Sequence, residues 1–495
     1  MQRKAIILIL GITLLIIGAF IVRSIVPVSQ VENIYVPRLT VIGDVKEVVE
    51  ISNIKSSKAI DIEFGNNIDF IELKVLVDLA KPVTSNYDVL LVGEDGLFAQ
   101  LGGENIDDCG IKFSGTKGWE SITSKHPINS RIKNVREIVV VSKDKNWDYG
   151  FNLISSKENI MNITPGQLYL KELNLYPYFD GESIKNIDGQ DYSVKLYKHK
   201  RVLPIEKIVN TESQYFLMMG KEGVYEVING YGYLELNGNE INYLNPEDRK
   251  QVRGIKGIMV DFPVDSIMNL YHDTIHYLEN DEDVLIVFLD GFAYHQYKYG
   301  LSNGYISFLG KLDTPKPATS VYKPVTNSGF AAMITGQPPY VNGVDDRADK
   351  DLKTQSIFGM SQVLGKSSVL IEGDIKILNT EIEPILNIDR NKNGTRDDEI
   401  FKTALAQIKN RPNLAMVHFH SIDDMGHKYG DVSKKTMETI EIIDEYVKEL
   451  AANWRGRIIV TSDHGMHKTR EGGTHGVFRY EDLVVPYFLF EGEEK

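Results

Sequence analysis

Acidic and histidine side chains recur in the C-terminal part of this 495-residue chain, next to runs of apolar residues or in a glycine-rich loop. They are Asp290, Asp423, His427, Asp463, His464 and His475. Carboxylates and imidazoles together bind borderline or hard divalent metals. The single cysteine, Cys109, excludes a Cys-based zinc site, so His, Asp, Glu and hydroxyl oxygens must supply the ligands. The sequence therefore predicts a divalent metal site at these positions.

A hydroxyl group is the second chemical feature. Thr326 stands at the start of a short helix-like stretch, TNSGFAAMITG, which ends at Gly336. The first backbone N–H groups of a helix and its dipole favour a bound phosphate. On this segment alone, the favoured interpretation is that Thr326 or Ser328 is a helix cap. A metal beside it would lower the pKa of its hydroxyl and make it a nucleophile.

The elements that must position these residues are four apolar runs: DVLIVFLD, SSVLIEGD, LAMVHFHSID and RIIVTSDHG. Continuous apolar runs of this length are typical of strands buried on both faces of a parallel or mixed sheet. One-face helical patterns lie between them, as in Lys434–Trp454. The C-terminal half is thus predicted to be α/β, with helices on both faces of the sheet. Ligands of such sheets gather where the strands end.

The order of these motifs resembles the alkaline phosphatase superfamily. The motifs are an Asp, a Thr before a short helix ending in Thr-Gly, Asp-x-x-x-His, Asp-His-Gly-Met and a late His-Gly. The segment PVTNSGFAAMITGQPPYVNGV is most similar to the nucleotide pyrophosphatase/phosphodiesterase and phosphonoacetate hydrolase branch. The resemblance spans roughly Asp283 to Glu491 and implies an alkaline-phosphatase-like sheet and a metal-dependent phosphoric ester hydrolase.

The resemblance also implies two metal positions, filled by zinc or by manganese or iron. Site 1 would comprise Asp290, Thr326, Asp463 and His464, and site 2 would comprise Asp423, His427 and His475. Thr326 would be the nucleophile that takes the phosphoryl group. The backbone N–H of Asn327 would donate to a phosphate oxygen.

Two positions depart from that family. Gly329 stands where an Asn is usual three residues after the nucleophile, and Arg347 stands where a phosphate-orienting Asn is usual. An arginine fork suits a phosphate with two or more free oxygens. The alternative is a surface Arg347 paired with Asp345 or Asp349. Whether the substrate is a monoester or a diester therefore stays open.

A second possible metal site is an oxygen-rich loop with ligands at alternate positions and Gly394 at the sixth, as in a calcium loop. Its candidate ligands are Asp389, Asn391, Asn393, Thr395, Asp397 and Glu399. Position twelve is Ile400, so an EF-hand is not supported. The sequence leaves a shorter calcium loop and an ordinary solvated loop as alternatives.

The N-terminus carries an uncharged apolar run, Ala5–Val22, long enough to cross a bilayer core. Arg3 and Lys4 precede it, which by the positive-inside bias places the rest of the chain outside the cytoplasm. Residues 1–30 are thus predicted to be a cytoplasmic tip and a single transmembrane helix in the cell membrane. A cleaved signal peptide is the alternative, although no small-x-small cleavage site follows the run.

Residues 31–280 show short alternating segments and predict a β-rich extracytoplasmic region, ahead of a catalytic domain at 281–495. The segment from Tyr87 resembles the one from Ser213, and each is followed by a similar apolar run, NVREIVVV or RGIKGIMV. Two related β modules would explain this, as would chance similarity between strand–turn–strand segments.

The net charge of −14 argues against a nucleic-acid partner, because backbone binding needs clustered Lys and Arg. The expected partners are a phosphate-ester substrate and, through the N-terminal helix, a membrane. Three functions remain. The first is a hydrolase of phosphate esters outside the cell. The second is a transferase of phosphoethanolamine or glycerol phosphate to envelope polymers, and the third is a non-catalytic, metal-stabilised surface binding protein.

Overall fold

The computed structural model describes residues 37–51, 70–114, 118–123, 125–209, 214–248 and 250–493. The chain divides into two compact units. The first comprises Met1–Val41, Val48–Ala80 and Val89–Val139, and the second comprises Ile42–Glu47, Lys81–Asp88 and Val140–Lys495. The predicted anchor Ala5–Val22 lies outside the described residues. Within them, no helix combines the length and the apolar character that crossing a bilayer requires.

The first nine elements are β1 (Leu39–Gly43), β2 (Val49–Ile51), β3 (Phe70–Glu72), α1 (Leu73–Ala80), β4 (Tyr87–Gly93), β5 (Phe98–Gly102), β6 (Cys109–Ser114), β7 (Gly118–Thr123) and β8 (Val135–Ser142). They form a five-stranded sheet in the order β2-β1-β8-β4-β5 and a three-stranded sheet in the order β3-β6-β7. Strands β4 and β8 are mostly apolar and mostly buried, as expected of inner strands.

The second unit continues with β9 (Phe151–Ser155), β10 (Asn159–Ile163), α2 (Pro165–Tyr169), β11 (Asn174–Ile187), β12 (Gln190–Pro204), β13 (Phe216–Gly220), β14 (Tyr225–Ile228), β15 (Tyr233–Asn237), β16 (Glu240–Leu244), β17 (Gln251–Val252) and β18 (Ile255–Val260). Two further five-stranded sheets result, in the orders β10-β9-β18-β13-β14 and β11-β12-β15-β16-β17. Short 3-10 turns lie at Gly103–Asn105, Ile128–Ser130, Ile205–Lys207, Lys221–Gly223 and Leu309–Lys311.

The sheets that contain the two similar sequence segments have the same topology. Numbered by their order along the chain, the strands of β2-β1-β8-β4-β5 lie in the spatial order second, first, fifth, third, fourth. The strands of β10-β9-β18-β13-β14 follow the same spatial order. Duplicated modules would have this arrangement, and the duplication itself stays a prediction.

The remaining elements are β19 (Asp265–Ser266), α3 (Asn269–Glu279), β20 (Val284–Leu289), α4 (Tyr294–Ser302), β21 (Lys316–Thr319), α5 (Thr326–Thr335), α6 (Pro339–Asn342), α7 (Ile357–Val363), β22 (Ser368–Glu372), β23 (Ile385–Leu386), α8 (Asp397–Ile408), β24 (Leu414–Phe419), α9 (Ser421–Tyr429), α10 (Lys434–Ala452), β25 (Arg457–Thr461), β26 (His467–Lys468), β27 (Gly473–Thr474), α11 (Tyr480–Leu483) and β28 (Val484–Glu491). Eight of these strands form one sheet in the order β19-β21-β28-β25-β20-β24-β22-β23. The four apolar runs become β20, β22, β24 and β25, which confirms the predicted α/β character. The sheet begins at β19, ahead of the predicted domain boundary at residue 281.

Strand β20 is central to this sheet and is buried on both faces. It pairs in parallel with β24 on one side and β25 on the other. Leu285, Val287 and Leu289 pack with α4, α8 and α10, whereas Val284, Ile286 and Phe288 pack with α3, α5 and α7. Because helices cover both faces, each strand must be apolar throughout, which is why no alternating pattern is visible in the sequence.

Candidate metal centre

The predicted ligands lie at one edge of the eight-stranded sheet, where parallel strands end. Asp290 follows β20 directly, and Asp463 and His464 come just after β25. Asp423 and His427 are one turn apart on α9, which follows β24. His475 follows β27, and Thr326 is the first residue of α5. All of these residues belong to the second unit.

The structure brings the four site 1 residues together. His464 Nε2 lies 3.5 Å from Asp290 Oδ1, 3.2 Å from Asp463 Oδ2 and 3.4 Å from Thr326 Oγ1. Two ligand atoms at about 2.0–2.2 Å from one tetrahedral metal lie roughly 3.3–3.6 Å apart. The spacing around His464 therefore suits a single metal ion.

Site 2 is assembled around Asp423. Its Oδ2 lies 3.4 Å from His427 Nε2, and its Oδ1 lies 3.7 Å from His475 Nε2. The rings of His464 and His475 stack with their centroids 3.8 Å apart. Ligand atoms of Asp423, His464 and His475 all lie within 4.8 Å of one another. The two sites are therefore direct neighbours.

The ligand histidines share one hydrogen-bond pattern. Nδ1 of His464 contacts Gly465 O at 2.9 Å, Nδ1 of His475 contacts Pro324 O at 2.9 Å, and Nδ1 of His427 contacts Gly473 O at 3.1 Å. A carbonyl oxygen can only accept, so Nδ1 carries the hydrogen in each ring. Nε2 is then the atom that would bind a metal, which is the usual orientation of a metal-binding histidine. At His475 this atom accepts a hydrogen bond from Arg347 in the structure.

Three buried carboxylate oxygens complete the donor set. Asp290 Oδ1, Asp423 Oδ1 and Asp463 Oδ2 have no hydrogen-bond partner among the described residues. The other oxygen of Asp290 is engaged by His418, and that of Asp463 by the Gly291 N–H, whereas Asp423 Oδ2 lies 3.4 Å from His427 Nε2. A buried charged oxygen without a partner is costly unless a cation compensates it. The residues present therefore fit two divalent metals.

Burial also shifts the pKa values of the ligands. It raises the pKa of Asp463 to about 7, with the Asp290 charge adding to the rise and His464 opposing it. Burial, together with the charge of His464, lowers the pKa of His475 to about 3. His475 is therefore a neutral imidazole near pH 7, which is the form that binds metals.

The start of helix α5 distinguishes the two interpretations of Thr326, a helix cap or a nucleophile. The cap position belongs to Val325, in extended conformation, and Thr326 is the first residue of the helix itself. Its Oγ1 instead faces His464. Gly329, one turn later, packs so tightly on Asp463 that a Cβ there would lie 2.5 Å from the Asp463 carbonyl oxygen. A side chain at this position, such as the Asn usual in the resembled family, would meet that contact.

Arg347 faces the metal centre. Its Nη2 donates to His475 Nε2 at 2.6 Å, and among the described residues it makes no ion pair with Asp345 or Asp349. Those two carboxyl groups lie against each other instead. Asn327 is buried, and its side-chain amide donates to Asp349 O at 2.8 Å. Both residues thus lie next to Thr326 or a metal ligand.

The predicted calcium loop is partly assembled. Asp389 accepts the N–H groups of Asn393 and Gly394, and the amides of Asn391 and Asn393 donate to Asp398. The Thr395 hydroxyl accepts the N–H of Asp397. Glu399 is buried beside Asp398.

Asp397, one of the predicted loop ligands, makes its hydrogen bonds outside the loop. Its carboxylate accepts the N–H groups of His420 and Ser421 and the Ser421 hydroxyl, so it caps the start of α9. The carboxylate is therefore turned away from the loop and towards the helix that carries Asp423 and His427.

Three buried residues beside Asp290, namely His418, His420 and Glu372, were not among the predicted site residues. Asp290 Oδ2 lies 3.3 Å from His418 Nε2 and 3.5 Å from His420 Nδ1. The second ring nitrogen of His418, Nδ1, lies 3.6 Å from Glu372 Oε1. Burial alone would lower the pKa of His418, but the two carboxylates raise it to about 9. The signals that could have identified them were the two histidines at alternate positions of the apolar run VHFH and the Glu that ends the apolar run SSVLIE.

Residues 378–486 match the family described as type I phosphodiesterase / nucleotide pyrophosphatase. This match confirms the resemblance for the segment that carries Asp423, His427, Asp463, His464 and His475. Asp290 and Thr326 precede the matched residues. No curated protein matches the chain.

Three solved structures match part of the chain at low sequence identity and low TM-score. Phosphonoacetate hydrolase from Sinorhizobium meliloti 1021, in complex with phosphonoformate, is 20% identical, with 37% of this chain and 57% of that chain covered and a TM-score of 0.30. An inactive threonine-to-alanine variant of murine ectonucleotide pyrophosphatase / phosphodiesterase 5, in complex with AMP, is 20% identical (38% and 59% covered, TM-score 0.31). The human form of that protein is 21% identical (38% and 58% covered, TM-score 0.31). The chain spans less than two thirds of the length of these structures.

Proposed function

We propose that this protein is a metal-dependent hydrolase of phosphate esters that works through a phospho-Thr326 intermediate. The proposal is supported by the match of residues 378–486 to the family described as type I phosphodiesterase / nucleotide pyrophosphatase. One observation carries the proposal. Thr326 Oγ1 and three carboxylate oxygens without hydrogen-bond partners in the described part of the chain all lie close to the Nε2 atom of His464 or of His475. Enzymes of this class need a nucleophile within reach of ligand atoms for two metals.

The chain's own residues account for the two halves of the reaction. When bound, two divalent metals, zinc or alternatively manganese or iron, would lower the pKa of the Thr326 hydroxyl and offset negative charge on the phosphate. Thr326 Oγ1 forms a bond to phosphorus while the bond from phosphorus to the leaving oxygen breaks. A water molecule then attacks phospho-Thr326, releases phosphate or a monoester, and restores the hydroxyl.

Free backbone N–H groups at the start of α5 support phosphate binding beside Thr326. The first residues of a helix lack intrahelical acceptors for their N–H groups, and the helix dipole favours negative charge there. We assign the Asn327 N–H this role. The Arg347 guanidinium, held next to His475, would bind a second free oxygen. A fork with two donors favours substrates whose phosphate carries two or more free oxygens.

The proposal is tested on the purified full-length chain, with metal content measured alongside turnover. We expect about two transition-metal ions per chain and hydrolysis of p-nitrophenyl phosphate or of bis(p-nitrophenyl) phosphate. Thr326→Ala should abolish turnover and keep the metals, while Thr326→Ser, which retains a hydroxyl, should keep part of the turnover. Wild-type turnover in Thr326→Ala would refute the nucleophile. Bound metals without turnover of any ester would favour the non-catalytic alternative.

The location of the enzyme is a separate proposal, motivated by the uncharged run Ala5–Val22 and the cations before it. We propose that this run anchors the chain in the cell membrane, with the metal centre on the extracytoplasmic side. Protease added to intact cells should digest the C-terminal part, and alkaline carbonate should not release the chain from membranes. A chain that resists protease until the cells are lysed would contradict this orientation.

A calcium ion in the loop around Asp389 is likewise a proposal, supported by the carboxylate and amide side chains that meet at Asp398. Calcium in excess should raise the thermal midpoint of the wild-type chain, and Asp389→Ala should remove that rise. An equal rise in both proteins would contradict a site in this loop.

A further inference from the structure

A row of side chains crosses three neighbouring strands directly beneath the metal ligands. His418 of β24 lies opposite Phe288 of β20 in the sheet register, and Glu372 ends the next strand, β22. Asp290 and His420 each follow this row by two residues, and residues two apart on a strand share a face of the sheet. The row is buried: Glu372, His418 and Phe288 are all 0% exposed.

This row contacts Asp290 on the side away from the metal position. His418 Nε2 approaches Oδ2 of Asp290, and Oδ1 is left facing His464. An ionised carboxylate has no hydrogen to donate, so His418 Nε2 is the donor in this contact. One oxygen of Asp290 is thereby committed to His418 and the other to the metal.

His418 and His420 do not have the hydrogen-bond pattern of the ligand histidines. His420 Nε2 accepts the N–H of Gly373 at 3.2 Å, so its Nδ1 carries the hydrogen and donates towards Asp290. His418 lies between two carboxylates, with no backbone carbonyl at either nitrogen among the described residues. His420 Nε2 and His418 Nε2 are therefore both engaged in hydrogen bonds and are not free for a metal.

The orientation of His418 is over-determined by its neighbours. The ring stacks on Phe288 with centroids 3.7 Å apart and planes 11° from parallel, and it lies 3.8 Å from the His420 ring. Beyond it, both carboxylate oxygens of Glu372 lack a hydrogen-bond partner, and Oε1 is 3.6 Å from His418 Nδ1. Glu372 therefore faces His418 as a nearby negative charge and not through a hydrogen bond.

We propose that His418, backed by Glu372, is a positioning residue that holds Asp290 with Oδ1 turned towards the site 1 metal. This inference rests on the proposed metal sites and adds the group that orients one of their ligands. Residues behind metal ligands fix ligand orientation, and their loss typically lowers metal affinity about 10–100-fold.

The test measures metal binding rather than turnover. Zinc affinity is determined by chelator competition for wild type and for His418→Phe, which keeps the ring stacked on Phe288 and removes both nitrogens. We expect the affinity of one metal to fall about 10–100-fold and the other to stay unchanged. His295→Phe is the matched control, because it breaks an imidazole–carboxylate contact with Asp431 (3.0 Å) that touches no ligand.

A second pair of variants separates positioning from packing. His418→Gln can place an amide donor near the Nε2 position, facing Asp290, whereas the shorter His418→Asn places it near Nδ1, facing Glu372. We expect Gln to restore most of the affinity and Asn to restore little. If His418→Phe does not fold, this pair decides the question.

The inference is overturned if His418→Phe binds both metals as tightly as wild type, or if Asn restores affinity as well as Gln.

A failure of the proposed function gives a different result from a failure of this inference. A wild-type chain that binds two metals but cleaves no phosphate ester refutes the hydrolase while leaving the role of His418 to be judged by affinity. A wild-type chain without affinity for metals refutes both.

Discussion

Replacing Gly329 by alanine should change the free energy of unfolding in two opposite ways, through helix propensity and through overpacking. Within a helix, Gly→Ala normally stabilises by about 0.8–1.0 kcal/mol. Here the added Cβ would lie 2.5 Å from the carbonyl oxygen of Asp463 and 2.7 Å from its Cβ. Both atoms belong to a fully buried residue, so neither can move aside cheaply. Overpacking of this kind costs about 1–3 kcal/mol.

The sum predicts that Gly329→Ala lowers the free energy of unfolding by about 0–2 kcal/mol instead of raising it. Because the displaced residue is a proposed site 1 ligand, metal affinity should fall as well. Urea unfolding followed by circular dichroism, and metal content after dialysis, are the measurements. Gly300→Ala in α4 is the control, since its Cβ would meet the terminal methyl of Ile306, which can rotate away.

A result that refutes this reasoning is easily recognised. If Gly329→Ala is more stable than wild type by about 1 kcal/mol and keeps both metals, Asp463 is not held against α5 as the structure has it. If Gly300→Ala is destabilised equally, the loss at Gly329 says nothing specific about the metal centre.

Three further predictions follow from the metal centre. Arg347→Ala should lower turnover of a phosphate monoester more than that of a diester, because the guanidinium faces the site; equal losses would contradict a role in binding a free oxygen. Asp397→Asn should cost about 1–2 kcal/mol through loss of the charged cap of α9, seen as a lower urea midpoint, and should weaken site 2; unchanged site 2 affinity would contradict the link to α9. In metal-free protein the pKa of His475 is about 3 against 6.5 for a free histidine, so its stabilising contribution is present above about pH 6.5 and is lost as pH falls towards 3. Urea midpoints should therefore fall more steeply over this range for wild type than for His475→Asn, and parallel curves would contradict the neutral, buried imidazole.

The structure also explains which predictions the sequence could support. The strands were identifiable because residues buried on both faces must be apolar throughout, as in β20 and β24. Their polar ends mark the edge where ligands meet, since parallel strands end on the same side. The loop around Asp389 shows the limit of this reasoning. Residue types alone could not reveal that Asp397 turns away from the loop to cap α9.

By itself, the sequence determined the ligand types, their order and the α/β alternation of the C-terminal part, because these follow from burial and from local spacing. The tertiary structure decided what each side chain faces. Thr326 is a nucleophile candidate rather than a cap because its hydroxyl meets His464 from 138 positions away in the chain. His418 is distinguished from His464 by the groups at its two ring nitrogens. Those groups come from other strands, so no local pattern encodes them.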